Sequence, residues 1–161
     1  MTTFGIRFLD HLAPARTLVE HIVQVHMGPD HRRGHAHVDI AGCGWFSVAE
    51  DVGAAQEVIR PIAAYFGPHL EEEALNTIGL PVRDFAPVKE RMGAGDCPGA
   101  AALVTDRMLD LAVVGTPTQI IPRLEALVEA GITQISVGGP LGPDPRRAIE
   151  LPGDQVLPHF R

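Results

Sequence analysis

Residues 111 to 145 constrain the fold more than any other part of the chain. Leu111-Ala112-Val113-Val114-Gly115 reads as a short buried strand. Thr116-Pro117-Thr118-Gln119 then starts a helix: Thr116 at the N-cap, Pro117 at the first helical position and Gln119 at the third make a capping box. Ile120, Ile121, Leu124, Leu127 and Val128 share one helical face, and Gly131 supplies the left-handed residue beyond the helix end. Ile132 to Val137 predicts the next strand, with Ile135 and Val137 alternating with Gln134 and Ser136. Strand, helix and strand joined this tightly run parallel with a right-handed crossover. The expectation is two neighbouring parallel strands, a Gly/Pro loop from Gly138 to Pro145 at their open end, and a short helix from about Arg146. Pro122 is the discordant residue, since inside the helix it deletes a backbone hydrogen bond.

The same alternation of strand and helix is legible upstream. Phe4 to Leu9 reads as a short strand, and Leu18, Ile22 and Val25 give a helix over residues 14 to 26. Residues 27 to 37, bordered by His26, form a polar linker punctuated by Gly28, Pro29 and Gly34. Val38 to Val48 predicts a buried strand, with Gly42 and Gly44 hinting at a bulge. A helix follows, with Val52, Ala55, Val58, Ile59, Ile62, Ala63 and Phe66 as its stripe, Pro61 inside it and Gly67-Pro68 at its end. Residues 69 to 109 read as short helices, opened by the acidic Glu71-Glu72-Glu73 turn.

A chain of 161 residues fits one α/β domain, 1–161: a first β-α unit at 4–26, the His-rich linker at 27–37 and a larger portion at 38–161. The net charge of −7 argues against a nucleic-acid surface. No apolar run reaches the roughly 18–20 residues of a membrane span, and the first residues lack a signal-peptide pattern, so the expected compartment is the cytoplasm. Cys43 and Cys97 are expected to be reduced packing residues.

Several residues are candidates for chemistry. The loop after a parallel strand is where α/β proteins hold ligands, and Gly138, Gly139 and Gly142 let a backbone approach a flat or phosphorylated coenzyme. Asp144 in that loop is a candidate substrate contact. Asp10 and His11 follow the first strand, where an acid and an imidazole could contact substrate and move a proton. Trp45 and Phe46 are expected in the core, with walling a ring-shaped cofactor as their alternative role. Ser47 has no nucleophile-elbow pattern around it. His26, His31, His35 and His37 crowd one segment, but no cysteine or carboxylate completes a recognised metal spacing, so no metal site is assigned.

These motifs carry a family likeness. Val114-Gly115-Thr116-Pro117, the run Leu124 to Gln134, and Gly139-Pro140-Leu141-Gly142-Pro143-Asp144 resemble the C-terminal end of the luciferase-like oxidoreductases. Within these the chain is most similar to the 5,10-methylenetetrahydromethanopterin reductase group. Phe4-Gly5-Ile6-Arg7-Phe8 resembles that group's first strand. Asp39 to Cys43, Ser47 to Asp51 and Ala63 to Pro68 resemble a later strand and helix. The resemblance implies part of a TIM-type (β/α) barrel, an incomplete one. A whole barrel takes about 250 residues, and the linker stands where the middle strands would be.

The resemblance also implies binding of the deazaflavin coenzyme F-420, or FMN as the alternative. It implies hydride transfer to or from a small substrate such as a methylene-tetrahydropterin. Arg7 stands where the group has a glutamate; it could hold an anionic coenzyme but cannot act as a carboxylate. An open parallel sheet leaves apolar edges, so the chain is expected to form a homo-oligomer. Two other readings remain open: a non-catalytic homologue serving as a binding or accessory module, and metal binding by the histidine linker.

Overall fold

The computed structural model of the protein describes residues 41–130 and 132–160. The expected first strand and helix at 4–26, the histidine linker at 27–37, and Gly131 lie outside these. The elements, in order, are β1 (Ala41–Val48), α1 (Val52–Phe66), α2 (Glu72–Thr77), α3 (Ala86–Gly93), α4 (Cys97–Ala102), β2 (Val113–Gly115), α5 (Pro117–Glu129), β3 (Gln134–Leu141) and α6 (Pro145–Leu151). Each strand is followed by a helix, and all three strands are parallel.

The sheet order is β2-β1-β3. The expectation that β2 and β3 lie side by side is therefore corrected. They point the same way, but β1 runs between them, because its eight residues offer a longer ladder than the three of β2. β1 meets β3 from Ala41 opposite Gln134 to Ser47 opposite Leu141, with a register shift between Trp45 and Ser47. The bulge thus falls at Phe46 rather than at Gly42 or Gly44. β2 meets only the last residues of β1, Phe46 to Val48.

β3 also extends beyond its expected end. Gly138, Gly139, Pro140 and Leu141 belong to the strand, and the true turn is Gly142-Pro143-Asp144. Glycine and proline there look like loop signals, yet a Cβ on Gly138 would lie 2.7 Å from the Gly44 carbonyl oxygen. A side chain at that position would prevent the close pairing. On β3, an edge of the described sheet, Val137 is 46% exposed whereas Ile135, its companion in the alternating pattern, packs against the core.

Successive strand residues point to opposite faces, and two cores result. On one face Phe46, Val48 and Val113 pack with Ile120, Leu124 and Leu127 of α5 and with Ala148 and Leu151 of α6. On the other, Ala112, Val114 and Trp45 join Ile59, Ala63 and Ala64 of α1 and the helices up to Leu111. Ser47 is fully buried on that second face, where its hydroxyl donates to the Ala55 carbonyl at 2.8 Å.

Local signals place most boundaries correctly. Asp51 caps α1 by accepting from the Ala54 amide at 2.8 Å. α1 continues through Pro61 to Phe66, and α5 through Pro122. The Thr116 amide donates to Gln119 Oε1 at 2.9 Å, the reciprocal half of the capping box. Cys97 departs from expectation: it is an exposed free thiol at the start of α4. Among the described residues no helix is long and apolar enough to cross a membrane.

Candidate functional site

The C-terminal ends of β1 and β3 lie next to one another and their following loops form a rim. From β1 come Ala49, Glu50 and Asp51; from β3 come Leu141, Gly142, Pro143 and Asp144. β2 adds Gly115, whose carbonyl accepts from the Ala49 amide at 3.3 Å. Leu141 has φ 76°, a left-handed conformation that a branched side chain rarely adopts. It turns the chain sharply as β3 leaves the sheet.

The rim is cross-braced. Arg147 Nε donates to Glu50 Oε1 at 2.5 Å, joining the loop after β1 to the first turn of α6. Arg147 Nη1 also reaches Glu150 Oε2 at 3.4 Å. The hydrogen bond from Arg147 holds the Glu50 carboxyl below its ordinary value, and Glu50 in turn raises Arg147. Asp144 caps α6, accepting from the Arg146 and Arg147 amides at 3.0 and 3.2 Å. Arg146 is the most exposed cation of the rim, with its side chain 90% exposed and paired to Glu150 at 3.0 Å.

The candidate residues are not all brought together. Gly142 and Asp144 sit in the turn at the rim. Gly142 is buried, and a Cβ there would lie 2.5 Å from the Val48 carbonyl oxygen, so this glycine serves the contact between β3 and β1. Gly138 lies within the ladder beside Gly44 rather than at the rim. Gly139 is exposed with no atom within 4 Å of its Cβ position, which leaves open backbone. Arg7, Asp10 and His11 lie outside the described residues, as does the histidine cluster. Trp45 is half-buried, 5.2 Å from the Phe66 ring, and Phe46 is buried, so both pack as core. Among the described residues no group of His, Cys, Asp and Glu could hold a metal ion.

Glu50 and Arg147 escape sequence reasoning because 97 positions separate them and nothing local links them. The available signal is weak: acids follow one predicted strand and Arg146-Arg147 follow the other, at loops that would meet if the strands pair.

Parallel βα units with a ligand-type rim at their strand ends define an α/β protein built as part of a TIM-type barrel. The structure superposes on a coenzyme F420-dependent tetrahydromethanopterin reductase from Methanopyrus kandleri with a TM-score of 0.84 and 27% identity, over 98% of this chain and 45% of that one. In sequence, the chain is 33% identical over 125 residues to a 5,10-methylenetetrahydromethanopterin reductase of Methanopyrus kandleri, covering 77% of this chain and 36% of the relative. A reductase of the same name from Archaeoglobus fulgidus is 32% identical over 120 residues, again 36% of its length. No family model matches. The chain is thus a homologue of these luciferase-like reductases that spans about 36% of the length of the curated relatives it matches.

Proposed function

We propose that this chain carries the closing strands of a coenzyme F420-dependent reductase site, which transfers hydride between the deazaflavin and a methylene-tetrahydropterin. FMN is the alternative coenzyme. The observation that carries the reading is the rim shared by β1 and β3, in a chain 33% identical to a 5,10-methylenetetrahydromethanopterin reductase. The residues present fit the ring end of such a coenzyme. Gly139 leaves open backbone that a flat ring can approach. Gly139 and the Gly142 turn would hold the ring, Asp144 would contact the substrate, and Arg146 with Arg7 would meet anionic groups. When bound, the deazaflavin supplies the hydride carrier; the chain's own residues bind and orient it.

Fluorescence and absorbance titration of the purified chain with F420, and separately with FMN, tests this. Saturable binding of either supports the reading. No change with both up to about 1 mM, where binding is worth only about −4 kcal/mol, contradicts it.

A second reading keeps the rim without the redox chemistry. In it the chain is a non-catalytic homologue acting as a binding or accessory module. Coenzyme binding without oxidation of reduced F420 by any tetrahydropterin substrate separates the two. We also propose self-association in a cytoplasmic setting, since β2 and β3 are both edges of the described sheet. A solution mass of one chain would count against it.

A further inference from the structure

We propose that the cleft between the end of α1 and α3 is a second binding site, for a small planar aromatic anion. The cleft has a volume of about 330 Å³ and is lined by Ala64, Tyr65, Pro68, His69, Lys89 and Met92, with Gly93 at its edge. That volume lies at the lower end of the roughly 300–1,000 Å³ found for small-molecule pockets. It is separate from the strand-end rim. α1 starts beside the rim, and from Val52 to Ala64, the first residue of the cleft, it advances roughly 18 Å.

The walls suit a flat ring. Tyr65 is 57% exposed, yet its ring is held edge-on by Phe66 at 4.8 Å, and Phe66 is held by Trp45 at 5.2 Å. The tyrosine is thus supported from within the fold and presents free surface to the cleft. Pro68 and the Met92 thioether complete an apolar lining.

The charge in the cleft has one sign. Arg60, Arg91, Arg123, Arg146 and Arg147 each hold a carboxylate, as expected in a chain of net charge −7. Lys89 and His69 make no ion pair with another described residue, and among the described residues no carboxylate lines the cleft. A carboxylate attached to a ring satisfies both features: the ring lies on Tyr65, Pro68 and Met92, and the anion meets the Lys89 ammonium and the His69 imidazole.

The probe is 2-naphthoate, followed by amide chemical shifts of the full chain, with neutral 2-naphthamide as control. The expected result is saturable shifts confined to residues 64–69 and 89–93, with the amide at least about tenfold weaker. Lys89→Glu should weaken binding about tenfold. Gly93→Leu should abolish it, because a Cβ at Gly93 meets nothing within 4 Å and the added bulk can fill the cleft without a backbone clash. Unchanged shifts elsewhere in the spectrum report that both variants are folded. No localised shifts up to about 10 mM, equal binding of the amide, or unaltered affinity in Lys89→Glu would each overturn the proposal. The outcome is independent of whether F420 binds at the rim.

Discussion

Arg147 donates to Glu50 at 2.5 Å and so ties the loop leaving β1 to the helix that follows β3. Ninety-seven positions of sequence close at this one contact. It braces the rim where two adjacent parallel strands end, and it gives that rim a pH dependence. The Arg147 hydrogen bond lowers the Glu50 carboxyl from its ordinary 4.5. A carboxylate depressed in the folded state adds stability above its unfolded value, and that stability is lost as pH falls through the folded value. Glu50→Gln is therefore expected to lower the thermal midpoint at neutral pH. The difference from the natural chain should shrink as pH falls below the ordinary 4.5 and on through the lowered folded value. Thermal unfolding followed by circular dichroism between about pH 7 and about pH 3 measures this. Both side chains are exposed, so the neutral-pH effect is small.

Two glycines of β3 and its turn should respond oppositely to the same change. A Cβ on Gly142 would lie 2.5 Å from the Val48 carbonyl oxygen and 2.9 Å from Ala148 Cβ, so Gly142→Ala should destabilise by about 1–3 kcal/mol. A Cβ on Gly139 meets nothing within 4 Å, so Gly139→Ala should change stability by less than about 0.5 kcal/mol. Urea unfolding midpoints with a common slope check both. Under the proposed function Gly139→Ala also weakens coenzyme binding, which distinguishes a binding effect from a folding one.

Ser47 is fully buried and donates to the Ala55 carbonyl, pinning the start of α1 to β1. Ser47→Ala removes one partner of a buried bond and should cost about 1 kcal/mol. Ser47→Val adds bulk to a packed position and should cost more. Both values come from chemical denaturation.

Ile120 is fully buried at the centre of the core that joins α5 to β1 and β2, whereas Ile149 is 64% exposed on α6. Ile120→Ala should cost about 2–5 kcal/mol, and Ile149→Ala less than about 0.5 kcal/mol. Equal losses would contradict the two-core description.

Much of this fold is legible in the sequence where the signal is local. Thr116, Pro117 and Gln119 mark the start of α5, and Gly67-Pro68 marks the end of α1, because caps and breakers act within a few residues. Pairing is not local. Nothing in Leu111 to Asp144 reveals that β1 inserts between the two strands, since that depends on which ladder is longer. Gly138, Gly139 and Pro140 imitate a loop, and only the nearby Gly44 carbonyl explains them as strand. The candidate site divides in the same way. Gly142 and Asp144 follow from the turn chemistry, while Glu50 and Arg147 meet only once β1 and β3 are side by side.

Amide hydrogen exchange of the chain with and without F420 tests the central claim most directly. Protection concentrated at residues 49–51 and 139–144, saturating with coenzyme, is the predicted result. Unchanged exchange at those residues, with coenzyme in about millimolar excess, would contradict a coenzyme-holding rim at the ends of β1 and β3.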